Sequence, residues 1–301
     1  NLHFLKKLIM KVTFSLFTQT CIDKLKSSGS FSTAHLYSYA VRSFSEFLNR
    51  DVIRFCDIKP EVLKLCEKHL IRTSHSFNTV STYMRMLRAI YNKAVMAGLA
   101  KFVFNLFHGV FTGVDRNHKK ALDESNLKEI LTGNVTSPAL KRVQLKAAAM
   151  YRLCGMPFVD LQHLNIKSVV DGILKYNRHK TGTCVNIPVN KDICKLIAQL
   201  SAPNFDLSTE IGYKHYQSSL RKFNAGLKRL AKTLDISVHI SSYTFRHSWA
   251  TNALRHHVPV EVISSALGHS DIRTTQIYLK GFNAQEIGKA NRKVCKCLYV
   301  K

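Results

Sequence analysis

The fold is decided by three C-terminal segments: Ser242-Tyr-Thr-Phe-Arg-His-Ser-Trp-Ala-Thr251, Leu267-Gly-His-Ser270 and Thr274-Thr-Gln-Ile-Tyr-Leu279. Arg246 and His269 lie 23 residues apart, and Tyr278 follows His269 by nine. Ser242 is a suitable cap for a helix that carries Arg246, and Gly268 suits a left-handed helix stop. The spacing predicts helix, turn, helix, turn and helix, with His269 on a tight turn between two helices.

The side chains of these segments are of types that suit chemistry at a phosphodiester. Arg246 offers a planar fork of donors to two oxygens and keeps its charge. His269 can donate a hydrogen bond or move a proton near neutral pH. Tyr243, three residues before Arg246, shares its helical face and is a second candidate donor. The phenol of Tyr278 is a poor nucleophile at its free pKa, so it needs such cations nearby.

The three segments resemble the tyrosine recombinase (phage integrase) family, and within it the integrases of Bacteroides-type mobile elements. Tyr243 stands where the usual pattern has His, and a Tyr there is typical of that branch. The resemblance covers roughly residues 15 to 300. It implies an enzyme that cuts and rejoins DNA through a 3′-phosphotyrosyl link to Tyr278, with Arg246, His269 and Tyr243 holding the phosphate. It implies neither a metal nor any other cofactor.

A β-hairpin is predicted in the second half of the chain. Asp171-Gly172 is a strong turn signal. Strands are expected at Ile173–Arg178 and Thr183–Val189, flanking a tip that contains Lys180. A lone lysine at a hairpin tip is ordinarily just exposed. The family places a catalytic lysine on this hairpin, so the resemblance implies that Lys180 protonates the leaving 5′ oxygen.

One family residue is missing. Members carry an arginine that grips the scissile phosphate, most often three residues before the acid that Asp160 matches, where this chain has Pro157. The Bacteroides-type branch places that arginine where this chain has Cys154. Arg152 is the nearest candidate for the role. This departure supports a second hypothesis, a recombinase relative that binds DNA without cutting it.

The composition predicts a polyanionic partner. Lys and Arg number 45 against 19 acidic residues, giving a net charge of +26 and a pI of about 9.9. An anionic membrane would favour one basic amphipathic helix, whereas this charge is spread along the chain. No apolar run reaches the ~18 residues that span a membrane. Double-stranded DNA is therefore the expected partner.

The eight cysteines show neither paired CxxC motifs nor zinc spacing. Cys295 and Cys297 form a C-x-C, but no His or Cys pair stands nearby, so no metal site is expected. Reduced thiols in a chain of this length indicate a cytoplasmic protein. With the resemblance, this implies a bacterial cytoplasm and association with the nucleoid when bound to DNA.

The predicted fold is mainly α with a small β-hairpin, in two domains. Residues 1–12 form a lead or remnant, and 13–108 form an all-helical domain, which the resemblance identifies as a SAM-like core-binding domain. Residues 109–120 form a basic linker, and 121–301 form the catalytic domain with a tail helix. Helices are expected at about 13–27 and 33–48, from Pro60, and after a cap at Asn78.

Basic residues on the polar sides of these elements are candidates for phosphate contacts, with a merely solvated face as the alternative. They are Arg85, Arg88, Lys93, Arg116, Lys119, Lys120, Arg221 and Lys222.

The resemblance also implies assembly into dimers and tetramers on DNA. The apolar tail around Val294–Val300 either packs on its own domain or docks into a neighbouring protomer. Integration, excision and inversion of a mobile element all remain open. A third hypothesis is a topoisomerase of the type IB kind with a similar set of residues.

Overall fold

A computed structural model describes residues 12–113, 121–200, 205–276, 288 and 291–295. The chain divides into two compact units, one of Asn1–His118 with Asp206–Lys214 and one of Lys119–Phe205 with His215–Lys301. The predicted fold class, mainly helical with a small β-sheet, is confirmed. None of the helices in the described ranges has the length and apolarity that a bilayer crossing requires. The seven cysteines in those ranges are free thiols.

The first unit is a helical bundle. Its helices are α1 (Phe14–Ser27), α2 (Phe31–Leu48), α3 (Pro60–Arg72) and α4 (Phe77–Met96), with a 3-10 turn at Phe55–Asp57. Side chains at helical spacing form its core, and Phe14, Phe44, Leu63 and Ile90 are fully buried. These side chains are packing residues of the helical core.

The cap of α4 differs from the prediction. Ser76, not Asn78, is the N-cap, since the amide of Thr79 donates to Ser76 Oγ at 3.2 Å. Either residue type is a good cap, so the residue types alone do not distinguish between the two positions.

The described start of the predicted linker packs as part of the first unit. Val110 is only 7% exposed and belongs to the same core as Leu106 and Phe107. The amide of Phe111 donates to the buried carboxylate of Glu67 at 2.5 Å. Residues 109–113 therefore behave as a continuation of the helical domain, and the rest of the linker lies outside the described residues.

The second unit surrounds a small sheet with helices. Its helices are α5 (Glu124–Thr132), α6 (Pro138–Arg152), α7 (Phe158–Gln162), α8 (Lys191–Ala198), α9 (Glu210–Thr233), α10 (Ser242–Arg255), α11 (Val260–Leu267) and α12 (Arg273–Gln276). A 3-10 turn covers Ile166–Ser168. The first residues of α9 fall in the part grouped with the first unit.

The sheet contains the predicted hairpin and one further strand. Strands β1 (Val169–Val170), β2 (Ile173–Asn177) and β3 (Cys184–Pro188) are antiparallel in that order. Leu174 pairs with Ile187, and both are buried against the helical core of the unit. The short β1 was not predicted, because two residues are too few for an alternating pattern to show.

Candidate active site

Helix α10 places Arg246 inside the second unit. The helix begins after Ser241, whose amide donates to Thr244 Oγ1 at 3.0 Å, so the cap is Ser241 and not the predicted Ser242. Helix α10 packs against α6 and α11. Arg246 is 2% exposed, which is unusual for an arginine and requires hydrogen-bond partners for its donors.

The guanidinium of Arg246 contacts Gly155, Leu267 and His269. Its Nη1 donates to the carbonyl of Gly155 at 3.2 Å. Its Nη2 donates to the carbonyl of Leu267 at 2.6 Å and lies 2.9 Å from His269 Nε2. Two residues separated by 23 positions in sequence thus meet at one point, as the motif spacing predicts.

Gly155 allows this close approach. Its φ is +66°, and a Cβ there would lie 2.8 Å from the Cα of Arg246. A side chain at this position would therefore suffer both backbone strain and a clash with the α10 backbone. The Gly that follows Cys154 is required for Arg246 to lie where it does.

The turn after α11 holds His269. Gly268 ends the helix with a φ of +62°, as predicted from the left-handed stop. A Cβ there would lie 2.6 Å from Val185 Cγ2 and 2.8 Å from Arg178 Cγ, so the hairpin packs directly on this turn.

The hydrogen bonds of His269 define its protonation state. A guanidinium only donates, so Nε2 accepts from Arg246 and the ring proton resides on Nδ1. That nitrogen lies 2.8 Å from Thr275 Oγ1, which is fully buried on α12. Burial, and then the charges of Arg246, Arg178 and Lys180, lower the pKa of His269 to about 4. The imidazole is therefore neutral at pH 7 in this state.

The base of the hairpin is fixed by a buried ion pair. Arg178 Nε donates to Asp160 Oδ2 at 3.0 Å, and the two side chains are 7% and 1% exposed. The other carboxylate oxygen accepts from the amide of His179 at 2.9 Å. Asp160 thus holds the residues immediately before Lys180, which is exposed at the tip.

Sequence reasoning did not identify Arg178 as a site residue. A signal was present, because Leu174, Tyr176 and Arg178 alternate along β2 and its extension and so point to one face. Leu174 is fully buried, and an arginine on that face requires a carboxylate or carbonyl partner. Thr275 was likewise not singled out, although it lies three residues before Tyr278.

The remaining predicted site residues do not join the hydrogen-bond network of Arg246 and His269 among the described residues. Tyr243 is 45% exposed, and its ring packs edge-on against His247 at 4.6 Å. Arg152 is exposed at the C-terminal end of α6. No hydrogen bond or ion pair among the described residues joins Arg152 to Arg246, His269 or Asp160. Tyr278, the predicted nucleophile, lies outside the described residues.

The predicted DNA-contacting residues lie on helices of both units. Arg88 on α4 and both Arg221 and Lys222 on α9 are exposed. Lys93 is exposed and lies 5.3 Å from the ring centroid of Tyr37. Arg85 is half-buried and donates to Thr82 Oγ1 at 3.1 Å, so its charge is held close to α4. Arg116, Lys119 and Lys120 lie outside the described residues.

The arrangement is suited to holding an anion. The site has a net charge of about +2, because its cations are Arg246, Arg178 and Lys180, its anion is Asp160, and His269 is neutral. In a partly desolvated site such cations strongly stabilise a phosphate. Among the described residues, no group of three His, Cys, Asp or Glu side chains could hold a metal ion.

Known protein families match both parts of the chain. The phage integrase family matches residues 120–284, and the phage integrase SAM-like domain matches residues 13–104. The tyrosine recombinase XerA of Saccharolobus solfataricus is 25% identical over 252 residues, covering 82% of this chain and 81% of that protein.

Solved structures share the fold. The Tn1549 transposon integrase in complex with circular intermediate DNA has a TM-score of 0.64 at 13% identity, covering 93% of this chain and 99% of that one. A lambda integrase tetramer bound to a Holliday junction has a TM-score of 0.59 at 14% identity, covering 90% of this chain and 79% of that one.

A phage integrase SAM-like domain followed by a phage integrase domain defines a class of enzymes that break and rejoin DNA. The chain belongs to the phage integrase family, the tyrosine recombinases. The predicted resemblance to the tyrosine recombinase family is thereby confirmed, while membership of the Bacteroides-type branch stays a prediction.

Proposed function

We propose that this recombinase cuts one DNA strand by attack of the Tyr278 phenol oxygen on the scissile phosphorus. The new bond joins Tyr278 to the 3′ phosphate, and the bond to the 5′ oxygen breaks. Lys180 gives a proton to the leaving oxygen. Neutral His269 accepts the phenol proton at Nε2, the ring nitrogen without a proton, in place of its hydrogen bond from Arg246; a bound phosphate anion favours this by raising the pKa of the imidazole. A free 5′ hydroxyl then reverses the step, so the bond energy is kept without ATP.

The convergence of Arg246 and His269 carries this proposal. Their side chains meet at 2.9 Å in a buried site beside the hairpin that bears Lys180. A phosphate within reach of Arg246 would be within reach of the imidazole as well. Tyr243 and Arg152 are further candidates for phosphate contacts, Tyr243 from the exposed face of α10 and Arg152 from the end of α6.

Double-stranded DNA is the proposed substrate, contacted through the exposed basic side chains of α4 and α9 and through the basic linker. By analogy with the lambda integrase tetramer, we infer assembly into a tetramer on DNA, with the C-terminal tail as the candidate link between protomers. The reaction moves a mobile element by integration, excision or inversion, and takes place in the cytoplasm on the nucleoid.

Covalent capture on random-sequence DNA tests the proposal. The full chain is incubated with random-sequence duplexes that carry a nick in one strand. After cleavage of that strand, the short piece with the 5′ hydroxyl dissociates, so the cut cannot be resealed. The covalent protein–DNA adducts are recovered under denaturing conditions, and their DNA is sequenced. We expect the adducts to share one sequence motif, and Tyr278→Phe to form none. Adducts that persist in Tyr278→Phe would overturn the assigned nucleophile.

The same experiment separates the rival functions. A relative that only binds DNA would hold DNA with a shared motif in a filter-binding assay under native conditions. It would form no covalent adduct with that DNA. A topoisomerase would form adducts without a shared motif and relax supercoiled plasmid as a monomer. Either result would overturn site-specific recombination.

A further inference from the structure

Arg178 is a candidate for the arginine that the sequence lacks. An arginine is missing at both positions where the family's first phosphate-gripping arginine is expected, since these hold Cys154 and Pro157. Burial raises the pKa of the Cys154 thiol to about 11, which keeps the thiol protonated and neutral; since the alternative form is an anionic thiolate, Cys154 cannot replace a cation in either form. Arg152 is exposed, and among the described residues no hydrogen bond or ion pair joins it to Arg246 or His269.

Arg178 lies beside Arg246. Its Nη1 donates to the carbonyl of Leu267 at 2.5 Å, and Arg246 Nη2 donates to the same oxygen at 2.6 Å. The two nitrogens are therefore separated by no more than the sum of these distances. This places two guanidinium groups around the turn that holds His269.

The orientation of Arg178 is fixed by other contacts. Asp160 accepts a hydrogen bond from Arg178 Nε. The aliphatic part of the Arg178 side chain packs on the backbone of Gly268, where an added Cβ would lie only 2.8 Å from Arg178 Cγ. Among the described residues, Arg178 Nη2 has no hydrogen-bond partner. It is not among the fully buried polar atoms that lack a partner, so part of it is accessible. It therefore remains available to a ligand.

We propose that Arg178 supplies the second guanidinium of the active site and contacts a non-bridging oxygen of the scissile phosphate through Nη2. The inference rests on the proposed function and deepens it. Arg246 and Arg178 then hold the two non-bridging oxygens from neighbouring positions, and charge that develops on those oxygens is shared between two fixed cations. Asp160 acts as a positioning residue, because it orients Arg178 and touches no substrate.

The first test compares Arg178→Gln with Arg255→Gln in single-turnover adduct formation on the captured motif; Arg255 is the exposed last residue of α10. Both variants remove one arginine near the end of an element, and only Arg178 faces Arg246. We expect the adduct rate to fall by about 100-fold or more in Arg178→Gln, the loss typical of one missing transition-state donor. Arg255→Gln should keep the wild-type rate within about threefold, while DNA affinity stays similar in both. The opposite ranking of the two variants would overturn the proposal.

A second test distinguishes phosphate contact from a structural role. In a substrate whose scissile phosphate is replaced by an uncharged methylphosphonate, less negative charge has to be stabilised. We expect the deficit of Arg178→Gln relative to wild type to shrink from about 100-fold to under about tenfold on this substrate. An equal deficit on both substrates would mean that Arg178 acts only through the fold, which would overturn the proposal.

Folding of the variant is controlled with a double substitution. Arg178→Gln alone leaves the Asp160 carboxylate buried and unpaired, which is costly. Arg178→Gln with Asp160→Asn removes both charges, and the methylphosphonate comparison applies to it unchanged. If the wild-type protein forms no adduct, the proposed function fails and this inference with it. If the wild type reacts and Arg178→Gln reacts equally well, this inference alone fails.

Discussion

At the scale of single residues, Arg246 combines a structural and a chemical role. Its donors bond the carbonyls of Gly155 and Leu267, so the guanidinium is fixed before any ligand arrives. We expect Arg246→Lys to lower the single-turnover adduct rate by about 100-fold or more, because an ammonium lacks the planar fork. DNA affinity, measured by anisotropy, should change little. An adduct rate near wild type would contradict the role assigned to Arg246.

His269 makes stability depend on pH in a defined window. The unfolded chain protonates this side chain near pH 6.5, whereas the folded protein resists protonation until about pH 4. Between these values the unfolded state binds more protons, so the free energy of unfolding falls as the pH drops from 6.5 to 4. We expect His269→Gln to show a smaller drop in melting temperature between about pH 7.5 and about pH 4.5 than the wild type.

The exposed His239 of the same unit provides the control for this measurement. His239→Gln should retain the full wild-type drop in melting temperature. A His269→Gln protein with an undiminished drop would show that burial of the imidazole does not set the pH dependence.

At the scale of elements, α10 packs against the turn at Gly155 so closely that no side chain fits there. Gly155 and Gly182 both have positive φ, at +66° and +68°, but of these two only Gly155 lacks room for a Cβ. We expect Gly182→Ala to cost about 1 kcal/mol from backbone strain alone. Gly155→Ala should cost about 2 kcal/mol more, because the clash displaces α10. Chemical denaturation measures both, and equal costs would contradict the close approach.

Helices and the hairpin could be predicted from the sequence because their signals are local. Pro60, Gly268 and Asp171-Gly172 act through their own backbone conformations, and each is found where the pattern places it. The caps at Ser76 and Ser241 were displaced from the predicted Asn78 and Ser242, because neighbouring polar residues are equivalent as caps and packing chooses between them.

The pairing of Arg178 with Asp160 could not be predicted in the same way. The two residues are 18 positions apart, on different elements, and nothing local links them. Only the packing of the hairpin on the Gly268 turn brings Arg178 next to Arg246. The motif spacing therefore identifies the Arg246–His269 site, whereas the second guanidinium becomes visible only in the folded chain.

At the scale of the whole molecule, a net charge of +26 predicts strongly salt-dependent DNA binding. We expect Arg88→Gln and Arg221→Gln each to reduce the slope of log K against log salt by about 1, as the loss of one phosphate contact does. Arg42→Gln is the matched control, since this exposed charge is offset by Glu46 at 2.9 Å. If the salt slopes of Arg88→Gln and Arg221→Gln equal that of the wild type, these side chains are merely solvated and contact no phosphate.

The most direct test is to map the covalent link. Adducts formed on the captured motif are digested with nuclease and trypsin, and the peptide that retains a nucleotide is identified by mass spectrometry. We expect a nucleotide joined through its 3′ phosphate to Tyr278. A nucleotide on any other side chain, or its absence from every peptide, would contradict the claim that this site presents DNA to Tyr278.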